Sequence, residues 1–137
     1  MLRLIFSLSV AAWFGMVVCV SFLVAPAAHS NFPDDARRFL RPIFPRYYRG
    51  GVVLGFVALG AVLLGRQGLP QEELVRLTVP VAVAMAASLI AGELLLPRLR
   101  SGNSDDPGYI RLHSISTMLN TTTLAALALA LAGAVLR

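Results

Sequence analysis

The chain alternates between long apolar stretches and short polar connections. Four of the stretches are long enough to cross a bilayer, because about 20 helical residues span the roughly 30 Å of its hydrocarbon core. They cover residues 4–28, 47–64, 74–96 and 109–136. The pattern predicts an all-α integral membrane protein whose four transmembrane helices form one bundle, a single domain over residues 1–137. The first stretch is interpreted as a retained helix, since its apolar run is longer than the core of a typical signal peptide.

The connection after the first stretch contains a helix signal of its own. A turn-forming segment at residues 31–33 precedes Asp34 and Asp35, and acidic residues favour the start of a helix. We therefore expect a short amphipathic helix from Asp34 to Leu40 that lies at the membrane interface. Its basic side chains would contact lipid headgroups: Arg37, Arg38 and Arg41.

Composition supports the membrane interpretation and excludes several classes of protein. Apolar residues make up 57% of the chain and charged residues 14%, far from the balance of a soluble fold. The formal charge of +5 fits basic loops beside anionic headgroups better than a nucleic-acid groove, for which no soluble domain exists. The lone Cys19 lies in the first apolar stretch and is interpreted as a packing residue. No catalytic motif is present, so an enzyme is the less favoured class.

The distribution of arginine predicts the orientation in the membrane. All twelve basic residues are arginine. Eight of them lie in or beside the first and third connections, and four lie beside the second connection and the termini. Because positive residues are held on the cytoplasmic side, both termini are predicted to lie outside the cytoplasm of a bacterial inner membrane.

The fourth stretch carries a polar stripe on an otherwise apolar helix. The residues recur at intervals of three and four, which places them on one helical face: His113, Ser116, Thr117 and Asn120. Lipid would penalise that face, so it is expected to point into the bundle, where it either joins the helices together or forms a site.

A second set of polar groups occurs at one membrane level. His29 ends the first stretch, Glu93 lies one turn before the end of the third, and His113 begins the fourth. An intramembrane carboxylate is a functional candidate by default. We therefore predict a site for a ligand or metal ion formed by His29, Glu93, His113 and Asn120, in which Glu93 bonds to His29 or His113 directly or through one water. The alternative is an ion pair of Glu93 with Arg98 or Arg111 and no site.

These residues resemble a known family. The segment from Trp13 to Gly15, followed by Pro26, and the later segment with Arg111, His113 and Asn120 are similar to the family typified by transmembrane protein 205. The resemblance covers most of the chain and implies a small four-span membrane protein without an established catalytic activity. A more distant resemblance, through Trp13, Gly15, Pro26 and His29, is to the copper-resistance D and membrane protoporphyrinogen oxidase families. This chain lacks the Asn-Glu-x-Pro segment of that oxidase.

Three functional classes follow from these observations. The first is a protein that binds or helps to move a small solute or metal ion, or supports a membrane complex. The second is a haem- or porphyrin-binding protein, and the third is a purely structural subunit. No cofactor is predicted, although haem or a transition metal would suit a histidine site. Because four helices leave little room for a pore, a homo-oligomer or a protein partner is expected within the bilayer.

Overall fold

A computed structural model describes residues 1–103 and 105–135 and contains four long helices. They are α1 (Leu2–Asn31), α2 (Ala36–Leu64), α3 (Gln71–Ser101) and α4 (Pro107–Val135), and no strand occurs among the described residues. Each helix is long and apolar enough to cross a membrane. The prediction of an all-α fold with four spans is confirmed, and the protein is a multi-pass membrane protein.

The helices extend beyond the predicted spans, because polar residues continue each helix past the hydrocarbon. The largest difference is in α2, which was expected to start near Tyr47. Its main part begins at Ile43, directly after Pro42, and a short helix Ala36–Leu40 precedes it by two residues. The predicted amphipathic helix is therefore present, and it leads straight into the second span. Within this short helix, Ala36 and Leu40 are buried, whereas Phe39 is exposed.

The four helices pack in a ring. The extensive contacts are between α1 and α2, α2 and α3, and α3 and α4, and α4 closes the ring against α1. Short connections between consecutive helices make neighbours antiparallel. The first and third connections therefore lie at one end of the bundle, and the second connection lies at the other end with the N-terminus.

Two of the helices widen into a π-helical turn at corresponding positions. The π segments are Cys19–Val24 in α1 and Ile90–Leu95 in α3. Each begins seven residues before a proline, Pro26 or Pro97. Proline has no N–H and its ring crowds the carbonyl four residues earlier, so the regular hydrogen-bond ladder cannot continue through it. The π turn accommodates the interruption, because the residue before each proline donates its N–H five residues back instead, to Val20 or Ala91.

Trp13 occupies the centre of the bundle and explains the small residues of α2. Its side chain is only 1% exposed. Gly51 and Gly55 lie against it, and a Cβ atom on either would meet the indole ring. The missing side chains at these glycines therefore let α1 and α2 approach closely, and the indole fills the space that the glycines leave.

Candidate functional site

A hydrogen-bonded chain of polar side chains joins three helices inside the bundle. The Tyr47 hydroxyl of α2 donates to Oδ1 of Asn120 on α4. Nδ2 of Asn120 donates in turn to Oγ of Ser21 on α1, at 2.6 Å. Tyr47 is buried, and Ser21 and Asn120 are half-buried. We call Ser21, Tyr47 and Asn120 the polar core.

The two π segments flank this core. Ser21 belongs to the π segment of α1. In the π segment of α3, Gly92 lies against Tyr48, whose ring packs edge-on against that of Tyr47 with centroids 4.8 Å apart. A Cβ at Gly92 would lie 2.9 Å from Cβ of Tyr48, so the lack of a side chain there allows the aromatic pair to fit. Both interruptions therefore adjoin the tyrosine pair of α2.

The chemistry of the polar core is that of neutral groups. It contains an amide and two hydroxyls, each of which can both donate and accept a hydrogen bond. Among the described residues, no buried side-chain nitrogen or oxygen lacks a partner. Such a core can join helices, and it can also exchange its internal hydrogen bonds for bonds to a small polar molecule or to water.

The structure does not assemble the predicted site of His29, Glu93 and His113. All three side chains are exposed. Within the described ranges, no three His, Cys, Asp or Glu residues could hold a metal ion together, and the one salt bridge lies elsewhere. In the described part of the chain Glu93 therefore forms no direct ion pair with a histidine, Arg98 or Arg111, and ligand binding at His29, Glu93, His113 and Asn120 stays a prediction. The three residues are on different helices, and a similar distance from the ends of the apolar stretches does not make them face one another.

Some residues of the polar stripe of α4 lie inside the bundle, and others are exposed. Asn120 points into the bundle as predicted, and Ser116 is half-buried beside Tyr48. His113 is exposed and stacks on Tyr109 one turn earlier, while the hydroxyl of Thr117 bonds to the carbonyl of His113. The buried positions of α4 begin only at Thr123, so its first turns pack loosely and leave these two side chains outside.

Arg37, one of the predicted headgroup ligands, also makes contacts within the protein. The Arg37 guanidinium donates to the carbonyls of Leu99 and Gly102 at the end of α3, both at 2.6 Å, and lies over the ring of Tyr109. Arg100 donates to the carbonyl of Arg41 across the same junction. These contacts tie the first connection to the third. Arg38 and Arg41 are exposed, and their contact with headgroups stays a prediction.

Sequence reasoning missed two members of the polar core. Tyr47 begins the second apolar stretch and Ser21 lies within the first, and the pattern of apolar and polar residues singles out neither of them. The available signal was the spacing of Ser21 to Pro26, because a proline inside an apolar helix marks an interruption where polar groups gather. The partner of Asn120 could not be read from its own helix.

Four apolar helices around a neutral polar core define the class as a small multi-pass membrane protein with interrupted helices. The chain belongs to the family described as domain of unknown function DUF4149, whose model matches residues 8–105. This match includes both π segments, Trp13 and Tyr47, and it ends before Asn120. None of the curated proteins and none of the solved structures compared with the chain matches it.

Proposed function

We propose that this protein binds a small polar solute or ion within the bilayer, at the polar core, and helps to move it. The observation that carries the proposal is the pair of corresponding helix interruptions beside a polar core. Interrupted helices at matching positions of two halves are a recurrent feature of solute sites in membrane transporters. Here the two halves are the hairpins α1–α2 and α3–α4.

The neutral groups of the core favour a solute that forms hydrogen bonds over a tightly held divalent metal. A transition-metal site needs several imidazole, thiolate or carboxylate ligands, and the described residues bring no three such side chains together. Ligand binding by His29, Glu93 and His113 would require a second copy or another partner to complete it. A solute that reaches the core would enter from the end formed by the first and third connections, because the core lies nearer that end.

A structural role is the second candidate, and one observation favours it. The polar core is satisfied by its own hydrogen bonds, so it would hold α1, α2 and α4 together without any ligand. The haem alternative has less support, since both histidines of the chain are exposed and a bundle-bound haem needs an axial ligand inside.

The proposed setting is a bacterial inner membrane with both termini outside the cytoplasm and the arginine-rich connections inside. The excess of arginine at that end supports this orientation. We also propose kinship with the transmembrane protein 205-like family, on the resemblance of Trp13, Gly15, Pro26, Arg111 and His113. We expect function in a homo-oligomer or with a membrane partner.

Whether water reaches the polar core distinguishes a solute-binding function from a purely structural role. In a Cys19→Ala background, Ser21→Cys places a thiol in the core, and Phe22→Cys places one on the neighbouring lipid-facing position, where Phe22 is 63% exposed. The two positions have the same depth. A charged, water-soluble methanethiosulfonate reagent reacts with thiolates in contact with water and not with thiols in hydrocarbon.

We expect labelling of the cysteine at position 21 and little labelling at position 22. Labelling at position 21 should also be slowed by a solute that occupies the core, which gives a screen for its identity. If neither position reacts while a cysteine at exposed Ser30 does, the core is dry and the structural role replaces our proposal.

A further inference from the structure

A second feature lies at the opposite end of the bundle, and it does not depend on the polar core. A cavity of about 510 Å³ opens among the start of α1, the end of α2, the start of α3 and the end of α4. Its volume is within the roughly 300–1,000 Å³ range of small-molecule sites. The walls are mostly apolar and include Leu2, Phe6, Ala61, Val62, Leu77 and Ala134.

Two oppositely charged side chains occur among the described residues that line the cavity. Arg3 and Glu73 both line it and form a salt bridge with N···O at 2.8 Å, the one ion pair among the described residues. Their side chains are 49% and 19% exposed, so a ligand can reach them. Arg3 lies at the start of α1 and Glu73 in the first turn of α3. Both are therefore at the depth of lipid headgroups rather than hydrocarbon.

We propose that this cavity binds one zwitterionic phospholipid of the phosphatidylethanolamine class. One acyl chain enters between the helices, the phosphate lies against Arg3, and the primary ammonium donates to Glu73. An apolar cavity with a cation and an anion at its rim matches an amphiphile that carries both charges in its headgroup.

The charges distinguish this lipid from the other common classes. An anionic lipid such as phosphatidylglycerol would meet Arg3 but be repelled by Glu73, which offsets the arginine charge. Phosphatidylcholine has the two charges, but its quaternary ammonium has no N–H to donate. A primary ammonium has three donors, as lysine does. The structure therefore favours ethanolamine over both choline and glycerol headgroups.

Native mass spectrometry of the delipidated, full-length protein tests the proposal. The protein is titrated separately with dioleoyl phosphatidylethanolamine, phosphatidylcholine and phosphatidylglycerol, and the dissociation constant of the first bound lipid is measured for each. We expect phosphatidylethanolamine to bind at least about tenfold more tightly than either of the others, equivalent to about 1.4 kcal/mol.

Two variants connect that preference to the cavity. Ala134→Phe places a ring in the cavity and should weaken phosphatidylethanolamine binding about tenfold, whereas Ala132→Phe, on the exposed side of the same helix, should not. Glu73→Gln leaves Arg3 without its carboxylate and should reverse the preference toward phosphatidylglycerol. This second variant changes no apolar packing, so it remains informative if Ala134→Phe fails to fold.

Equal affinities for the three lipids, or a preference unchanged by Glu73→Gln, would overturn the proposal and leave only annular lipid. Neither result bears on the polar core, which is tested by thiol labelling at position 21.

Discussion

Trp13 and the glycines opposite it show how single residues set the distance between helices. An alanine Cβ at Gly51 would lie 2.8 Å from Cε2 of Trp13 and closer still to Nε1. The indole is buried, at 1% exposure, so any shift that relieves the contact must displace its packed neighbours. Side-chain volume at this one position therefore decides whether α1 and α2 can approach.

We predict that Gly51→Ala lowers the free energy of unfolding by about 1–3 kcal/mol, the usual cost of forcing extra volume into a packed core. Gly60→Ala is the matched control, because it lies on the same helix and its Cβ would meet nothing within 4 Å. Unfolding in mixed micelles with increasing sodium dodecyl sulfate measures both. Equal stability of the two variants would contradict the packing of Trp13 described above.

The polar core gives a second prediction at this scale. Tyr47→Phe removes the donor to Oδ1 of Asn120 and leaves the ring in place. Hydrogen bonds between membrane helices contribute about 0.6 kcal/mol on average and about 1.7 kcal/mol at most. The substitution should therefore lower the free energy of unfolding by an amount within that range. Tyr109→Phe is the control, since Tyr109 makes its contacts through its ring. A Tyr47 variant as stable as the control would mean that this hydroxyl holds no helices together.

At the scale of elements, the ends of the helices are held by side chains from other connections. The last carbonyls of α3 have no partner within their own helix. Arg37 supplies one by donating to Leu99 and Gly102, and its positive charge also suits the negative end of the helix dipole. The short helix Ala36–Leu40 is thereby fixed to α3, although its own five residues are too few to be stable alone.

We predict that Arg37→Ala releases this short helix from α3. Limited proteolysis should then cut the first connection several times faster than in the wild type, because local opening governs cleavage of a folded protein. Arg38→Ala is the matched control: its side chain is adjacent and exposed. The same cleavage rate in both variants would show that the Arg37 contacts do not hold the connection.

The whole molecule has a basic end and a less basic end. Among the described residues, eight arginines lie at the end formed by the first and third connections, and Arg3, Arg66 and Arg76 lie at the other. The Arg37 and Arg100 contacts hold two of the eight against backbone carbonyls, yet their charges remain at that end.

We expect an alkaline phosphatase fused after residue 137 to be active and a green fluorescent protein fused there to be dark, because only the first folds in the periplasm. A fusion in the first connection, after Pro33, should behave in the opposite way. A fluorescent C-terminal fusion with inactive phosphatase would reverse the orientation proposed here.

The sequence alone determined the class of fold. The thickness of the bilayer sets how long a spanning helix must be, and the length of each apolar run can be read directly from the chain. The sequence also identified Asn120 as an inward residue, since helical periodicity fixes which residues share a face. The short helix of the first connection followed from its turn and acidic residues.

Only the tertiary structure decided which polar groups meet. Periodicity gives the relative positions of residues on one helix and says nothing about the rotation of one helix against another. Glu93, His29 and His113 are exposed, whereas Ser21 and Tyr47 turn toward Asn120. That rotation is set by Trp13 against its glycines and by the π turns before the prolines, contacts that involve several helices at once.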